Sequence, residues 1–323
     1  CNNMPTGVAS QLIEALSISK LVIETPQVME SIFAMDFMLV TSRIRAVTFI
    51  DLSSNYQLEH TLFASPYVSE LVFVRVEGAI LPKRLDGLSG LKSLRVIHCQ
   101  LNKVPTLNAN HSLERLRLSQ CSLNRELDLG LFPASIEELD LSMNTLNSLG
   151  NLGHLKALKS LDVSNNQVMH FDLSACSSSL ETLCLRSNKL VSLACDGVNL
   201  PNLLLLDLGN NSLRELPKQC AELTSIKELL LSNNQFQELP SEICTLTALE
   251  RLDLNRNFIR SIPSTFVNLK RLYYLDLEDN LLTEVYWLLS LGLWPKAKIR
   301  IRGNELHEEK RKLITLTNTN IDL

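Results

Sequence analysis

LLLLDLGNNSL (203–213), IKELLLSNNQF (226–236), LERLDLNRNFI (249–259) and LYYLDLEDNLL (272–282) are copies of one eleven-residue phrase, L-x-x-L-x-L-x-x-N-x-L, and successive copies start 23 residues apart. Inside the phrase the L-x-L alternation has the period of a β-strand, so the leucines face one side and the residues between them the other. One strand of this length cannot bury its leucines alone. Copies stacked in register build a parallel sheet over a shared core, and such units therefore come in arrays of three or more.

The frame continues toward the N-terminus through LETLCLRSNKL (180–190), LKSLDVSNNQV (158–168), IEELDLSMNTL (136–146), LERLRLSQCSL (113–123) and LKSLRVIHCQL (91–101), at spacings of 22 or 23. Weaker copies stand at SELVFVRVEGA (69–79), VTFIDLSSNYQL (47–58) and KIRIRGNEL (298–306). That makes twelve repeats, with a possible thirteenth at LVIET (21–25). The composition agrees. Hydrophobic residues make up 45% of the 323 residues but aromatics only 5%, so aliphatic side chains must supply nearly all of the core. The net charge of −4 is small and the two signs are interleaved, which argues against a general nucleic-acid or membrane-surface binder. The apolar run Val285 to Pro295 is about half the roughly 20 residues a helix needs to span a bilayer.

The ninth position must turn the chain out of the strand while satisfying backbone groups inside the stack. An amide, which both donates and accepts, suits that task. Asn fills it at Asn55, Asn144, Asn166, Asn188, Asn211, Asn234, Asn257, Asn280 and Asn304, and Cys99 and Cys121 stand in for it in two turns. A thiol fits the same place as a weaker donor, so both cysteines read as structural.

From about Arg43 to Leu306 the chain resembles the leucine-rich-repeat family, in which cysteine is the usual replacement at the ninth position. The resemblance implies an α/β solenoid with a curved parallel sheet on its concave face. Repeats of 22 to 24 residues leave about a dozen for the return path, so short irregular or single-turn helical segments are expected there and the curvature should be shallow. ELP (215–217), ELP (238–240) and SIP (261–263) open a phrase, L-P-x-x-[IFC]-x-x-L, that looks like the intracellular subtype of Ras-pathway scaffolds, Scribble-type polarity proteins and plant Ras-related repeat proteins. The phrase is absent between 124 and 200.

A solenoid exposes its core at both ends unless something covers it. Residues 1–42 read as an N-terminal helical cap with a possible degenerate repeat. GVASQLIEALS (7–17) puts Val8, Leu12, Ile13 and Leu16 on one helical face, and Thr25-Pro26 opens a second helix over QVMESIFAMDFMLV. Residues 43–306 are the repeats, and 307–323 a C-terminal cap or tail. Asn304 is expected to cap ELHEEKRKLI, where Glu308 stands four before Lys312. A chain that starts at Cys1 reads as trimmed. Eight cysteines with no C-x-x-C pair and no clustering at the ends read as free thiols in a reducing compartment.

Motifs of catalysis are missing. The sequence has no G-x-x-x-x-G-K-[ST], G-x-G-x-x-G, H-E-x-x-H or G-x-S-x-G, and the six histidines show no metal-ligand spacing. His98 and Cys99 are neighbours, but alternation sends Cys99 into the turn. Asp recurs at 51, 140, 162, 207, 253 and 276 in L-D-L. Such a column has a cation-binding reading, and the ordinary repeat consensus accounts for it without one. No cofactor and no metal are expected.

With the leucines committed to the core, specificity must sit on the outward strand positions. Phe49, Val72, Val74 and Ile97 form an apolar patch bordered by Arg95, Arg115 and Arg117. It has two readings, an interface or the seat of the N-terminal cap. Beyond it lies an acidic stretch through Glu138, Asp140, Asp162, Asp207, Asp253 and Asp276, broken by Leu205 and Leu230 and joined by Arg251 and Tyr274. Arg and Tyr are favoured interface anchors, whereas charges alone also occur on plain solvated faces. The expected function is a non-catalytic protein-binding module, a cytoplasmic signalling adaptor or scaffold holding a protein partner on the concave face. Two alternatives stay open. One is the ectodomain of a receptor, suggested by the acceptor triplets at Asn110 and Asn210. The other is a substrate-receptor or regulatory subunit of a ubiquitin ligase or phosphatase.

Overall fold

The computed structural model describes residues 19–24, 44–51, 66–76, 85, 88–101, 104, 106–284, 297–309, 312 and 321–322. The chain divides into two compact units, residues 1–146 with 150–158, and residues 147–149 with 159–323. Each is a stack of repeats.

In the first unit β1 (Lys20–Ile23), β2 (Ala46–Ile50), β3 (Glu70–Val74), β4 (Ser93–Ile97), β5 (Arg115–Ser119) and β7 (Glu138–Asp140) pair in parallel in chain order. Register follows the leucines, with Val47 opposite Leu71, Leu94, Leu116 and Leu139 in turn. β1 is the degenerate repeat at LVIET, with Leu21 opposite Val47. In the second unit the same holds for β9 (Ser160–Asp162), β11 (Thr182–Cys184), β13 (Leu205–Asp207), β14 (Glu228–Leu230), β15 (Arg251–Asp253), β16 (Tyr274–Asp276), β17 (Lys298–Arg300) and β18 (Ile321–Asp322). Leu161, Leu183, Leu206, Leu229, Leu252, Leu275 and Ile299 form one buried row there. Each fully buried leucine contributes roughly 1.5–3 kcal/mol.

Among the described residues the return side carries β6 (Asn124–Leu127), β8 (Thr145–Leu149), β10 (His170–Asp172) and β12 (Ser192–Ala194), and five 3-10 turns. Three of those turns, Lys218–Glu222, Ser241–Thr245 and Ser264–Asn268, start directly after Pro217, Pro240 and Pro263. Proline's fixed φ suits entry into a helical turn, and its missing N–H is one that such a turn leaves unpaired. Cys220, Ile243 and Phe266 then point into the core, which explains the [IFC] position of the repeated phrase.

The asparagine ladder is built as the spacing predicts. Asn234 donates from Nδ2 to the carbonyls of Leu208, Leu231 and Ser232 at 2.9, 3.1 and 3.3 Å, and its Oδ1 accepts from the amide of Leu213 at 3.0 Å. One side chain thus ties its own turn to the preceding one. Cys121 does part of this work, its thiol donating to the carbonyls of Val96 and Ser119 at 3.1 and 3.3 Å. Burial pushes the Cys121 thiol up to about 12 and raises that of Cys99 as well, so both stay protonated donors. The residue before the ladder is left-handed in turn after turn, with φ between 50 and 57° from Asp51 through Asp279, and Gly303 takes that place before Asn304.

This conformational marker corrects the first repeat. Asp51, with φ 54°, occupies the place just before the ladder, so the described part of this repeat runs three residues earlier than the sequence suggested; Asn55 lies outside the described residues. Phe49 accordingly faces inward. It is 0% exposed and stacks on Phe73 at 5.0 Å between centroids. At the far end Asn304 is a ladder residue, donating to the carbonyls of Leu277 and Ile301 at 2.8 Å each, and not a helix cap. Glu308, Glu309 and Lys312 are helical, with the Lys312–Glu308 pair at 3.0 Å. The expected cap helices over 7–17 and 27–40 lie outside the described residues.

Candidate protein-binding faces

Alternation along β2 to β7 presents three outward columns in the first unit. The middle one runs Thr48, Val72, Arg95, Arg117, Asp140, and beside it Ile50, Val74, Ile97 and Ser119 stand in register. Val72, Val74 and Ile97 are partly exposed, as expected, and Ile50 takes the place that Phe49 was expected to fill. The result is an apolar row, Ile50–Val74–Ile97, widened by Val72, and Ile50 is the member the sequence reading missed. The signal was present: an L-x-L frame on Val47 and Phe49 makes Ile50 the next outward residue.

Arginines border this row. Arg95 pairs with Glu70 at 3.3 Å, Arg115 with Glu114 at 3.7 Å, and Arg117 with Asp140 at 2.9 Å. Arg117 also donates to Ser119 Oγ at 2.8 Å. Exposed pairs of this kind contribute about 0–1 kcal/mol, so the fold scarcely depends on them. Ser93 and Ser119, in the outward columns beside the arginines, are buried.

The second unit presents the acidic face. Thr182, Leu205, Glu228, Arg251, Tyr274 and Lys298 form one column, and Cys184, Asp207, Leu230, Asp253, Asp276 and Arg300 the next. Its carboxylates share an architectural duty. Asp162, Asp207, Asp253 and Asp276 each accept the amide of the residue two further on, at 2.8 to 3.1 Å, as Asp140 does at 2.9 Å in the first unit. This Asx-type bond closes the exit from the strand and explains the L-D-L consensus without a cation. Among the described residues no group of three His, Cys, Asp or Glu side chains could hold a metal.

The eight candidates of this face do not form one uniform surface. Asp276 is 1% exposed, held by Arg300 at 3.0 Å and by the Tyr274 hydroxyl at 3.1 Å, so it is an internal anchor and not a contact residue. Asp207 is buried too. Leu205, Leu230, Asp253, Arg251 and Tyr274 are half-buried, and the Arg251 guanidinium lies 4.8 Å over the Tyr274 ring. Arg186 reaches across Gly209 to Ser232 Oγ at 3.4 Å; a Cβ on Gly209 would stand 2.5 Å from its Nη1. Glu138 is exposed and Asp140 half-buried in the first unit, and Asp162 half-buried in the second.

Burial raises the Asp253 carboxyl above its ordinary range, with neighbouring Asp276 acting in the same direction, while the Asn255 amide and Arg251 oppose it. A raised folded value means that this group's contribution to stability is present below the ordinary carboxylate range and lost as pH rises through the raised value. Asp253→Asn keeps an acceptor for the Asn255 amide and removes the charge. It should match the native protein in thermal unfolding near pH 4 and equal or exceed it at pH 7; a loss at pH 7 would mean the charge itself holds the fold.

His98 and Cys99 part company as alternation requires. His98 turns outward to Gln120 Oε1 at 2.9 Å, while Cys99 donates inward to the carbonyl of Ile97 at 3.3 Å. Of the acceptor triplets, Asn110 is buried, and its Nδ2 donates to the carbonyls of Leu85 and Leu88 at 2.9 and 3.4 Å. Among the described residues no helix is long and apolar enough to cross a membrane.

The family model described as leucine rich repeat matches residues 178–236 and 224–282, in the frame of the ladder. The turns it covers are leucine-rich repeats. No curated protein sequence matches it. Among solved structures, a leucine-rich-repeat protein of Leptospira interrogans is 26% identical with a TM-score of 0.75, over 88% of this chain and 72% of that one. The internalin InlF of Listeria monocytogenes is 20% identical with a TM-score of 0.67, over 88% and 87%. A plant peptide hormone receptor, RGFR1, in complex with RGF2 is 19% identical with a TM-score of 0.66, over 90% of this chain and about half, 51%, of the receptor chain. The last two establish the fold alone. Leucine-rich-repeat proteins are generally non-catalytic interaction modules.

Proposed function

We propose that this chain is a non-catalytic adaptor or scaffold of cytoplasmic signalling that captures a protein partner on the outward strand face of its first unit. The observation that carries the reading is the apolar row Ile50–Val74–Ile97, with Val72 beside it and Arg95, Arg115 and Arg117 along its border. Folding gives no reason for aliphatic residues at four neighbouring outward positions, whereas an apolar centre with an arginine rim has the composition of an interface. Buried protonated thiols at Cys99 and Cys121 suit a reducing compartment.

Arg95→Glu with Arg115→Glu tests it. Both side chains are exposed and only loosely paired, so the double variant should unfold within about 1 kcal/mol of the native protein. Proteins retained from an extract of the source cells by the immobilised native chain should be lost from the variant by tenfold or more. Equal retention would move the binding face elsewhere.

A second reading, the ectodomain of a receptor, draws on the fold shared with the peptide hormone receptor. Its sugar would sit on Asn210, since the Asn110 amide is committed inside the core. Intact mass of the protein isolated from its source decides: added hexose mass at Asn210 favours the receptor, and an unmodified mass favours the adaptor.

A further inference from the structure

The ladder accounts for Cys99 and Cys121, but not for Cys195. Cys195 follows β12, and Cys220 sits in the 3-10 turn Lys218–Glu222 of the next repeat; the two sulfur atoms are 3.3 Å apart. Both side chains are buried. The segments that carry them are held locally, by the Val198 amide on the Cys195 carbonyl at 3.1 Å and the Cys220 amide on the Pro217 carbonyl at 2.9 Å. Beside the sulfurs, Gln219 Nε2 donates to Asp196 Oδ1 at 3.0 Å and ties one segment to the other.

We propose that Cys195 and Cys220 are a disulfide-forming pair that cross-links two successive repeats when the protein meets a hydroperoxide. The sulfurs need to close by about 1.3 Å to reach the bond length of about 2.0 Å, a movement within reach of small χ1 rotations. The order of events follows from access. Cys195 directly adjoins the exposed Asp196–Gly197 turn, and a hydrogen bond from Cys220 to its sulfur favours its thiolate. Cys195 is therefore the nucleophile. Its sulfur attacks the distal peroxide oxygen, the O–O bond breaks, and a sulfenic acid and water (or an alcohol) are left. The Cys220 sulfur then attacks the sulfenic sulfur, its proton leaves with the departing hydroxide as water, and the S–S bond forms. The two electrons of the new bond's precursors have passed to the peroxide. Access is by way of the Asp196–Gly197 turn, where both residues are exposed and a Cβ on Gly197 would meet no atom within 4 Å.

The proposal is independent of the partner face. Its test is alkylation after oxidation. The fully reduced chain, treated with hydrogen peroxide, denatured and alkylated, should carry six alkyl groups, its eight cysteines less two. Before alkylation it should weigh about 2 Da less than the reduced chain. A tryptic map should contain one cross-linked species joining the peptides of Cys195 and Cys220, abolished by dithiothreitol. Cys220→Ser should lose the cross-link and retain the oxidation on Cys195 as a sulfenic acid, and Cys244→Ser should keep the cross-link. Eight alkylated thiols after peroxide, over-oxidation of Cys195 without a cross-linked peptide, or a bridge between any other pair would overturn the proposal, and the native map decides even if a variant fails to fold.

Discussion

Phe49→Ala should lower the free energy of unfolding by about 3–5 kcal/mol, the cost of deleting a fully buried aromatic ring and leaving a cavity. The next residue should behave differently. Ile50→Ala, on the half-exposed outward side, should cost about 1 kcal/mol or less. Phe49 has no solvent exposure and stacks on Phe73 with an interplanar angle of 11°, so its removal strips one face of a second core ring as well. Urea unfolding of the two variants measures the difference. The register rests on this pair: a costly Ile50→Ala beside a harmless Phe49→Ala would return Phe49 to the outward face. Partner capture should run the other way, weakened by Ile50→Ala, because Ile50 and not Phe49 belongs to the apolar row.

Why the first repeat misled, while the later ones did not, is a matter of how many constraints fix a register. In LERLDLNRNFI four apolar positions and an asparagine must all fall in frame, so one alignment survives. In VTFIDLSSNYQL the residues Val47, Phe49, Ile50 and Leu52 are all apolar, and two frames three residues apart, one built on Val47 and Phe49 and one on Ile50 and Leu52, fill the core equally well. Asn55 then tips the choice the wrong way, because an asparagine in a turn looks like the ladder residue. What decides is backbone conformation, the left-handed residue that precedes each ladder position, and Asp51 carries no sequence mark of that state.

The binding faces show the same boundary between what composition states and what packing adds. That Arg95, Arg115 and Arg117 border an apolar patch follows from strand alternation alone, and the register places them so. That Asp276 is buried under Arg300 and Tyr274 does not follow from alternation, since an outward position next to long side chains can be covered by them. The contact between Cys195 and Cys220 was equally out of reach. Residues 25 apart on irregular return segments have no periodicity to place them.

Asn234→Ala should destabilise the second unit by about 3–4 kcal/mol, more than any exposed substitution and comparable to loss of a core leucine. The side chain is buried and satisfies backbone groups on both sides, the carbonyls of Leu208, Leu231 and Ser232 and the amide of Leu213. A net hydrogen bond is worth about 1 kcal/mol, but a buried donor left without a partner costs about 1–3 kcal/mol, and the amide of Leu213 is such a donor. The effect should be local before it is global: the amide of Leu213 should exchange with solvent faster by more than tenfold, while strand amides distant in the stack keep their protection. Asn234→Cys separates the two halves of the role. A thiol can still donate, as Cys121 does to the carbonyls of Val96 and Ser119, but it accepts poorly from the amide of Leu213. The cysteine variant should therefore recover about half of the loss. If Asn234→Ala unfolds within about 1 kcal/mol of the native protein, the ladder is a consequence of the stacking and not one of its causes.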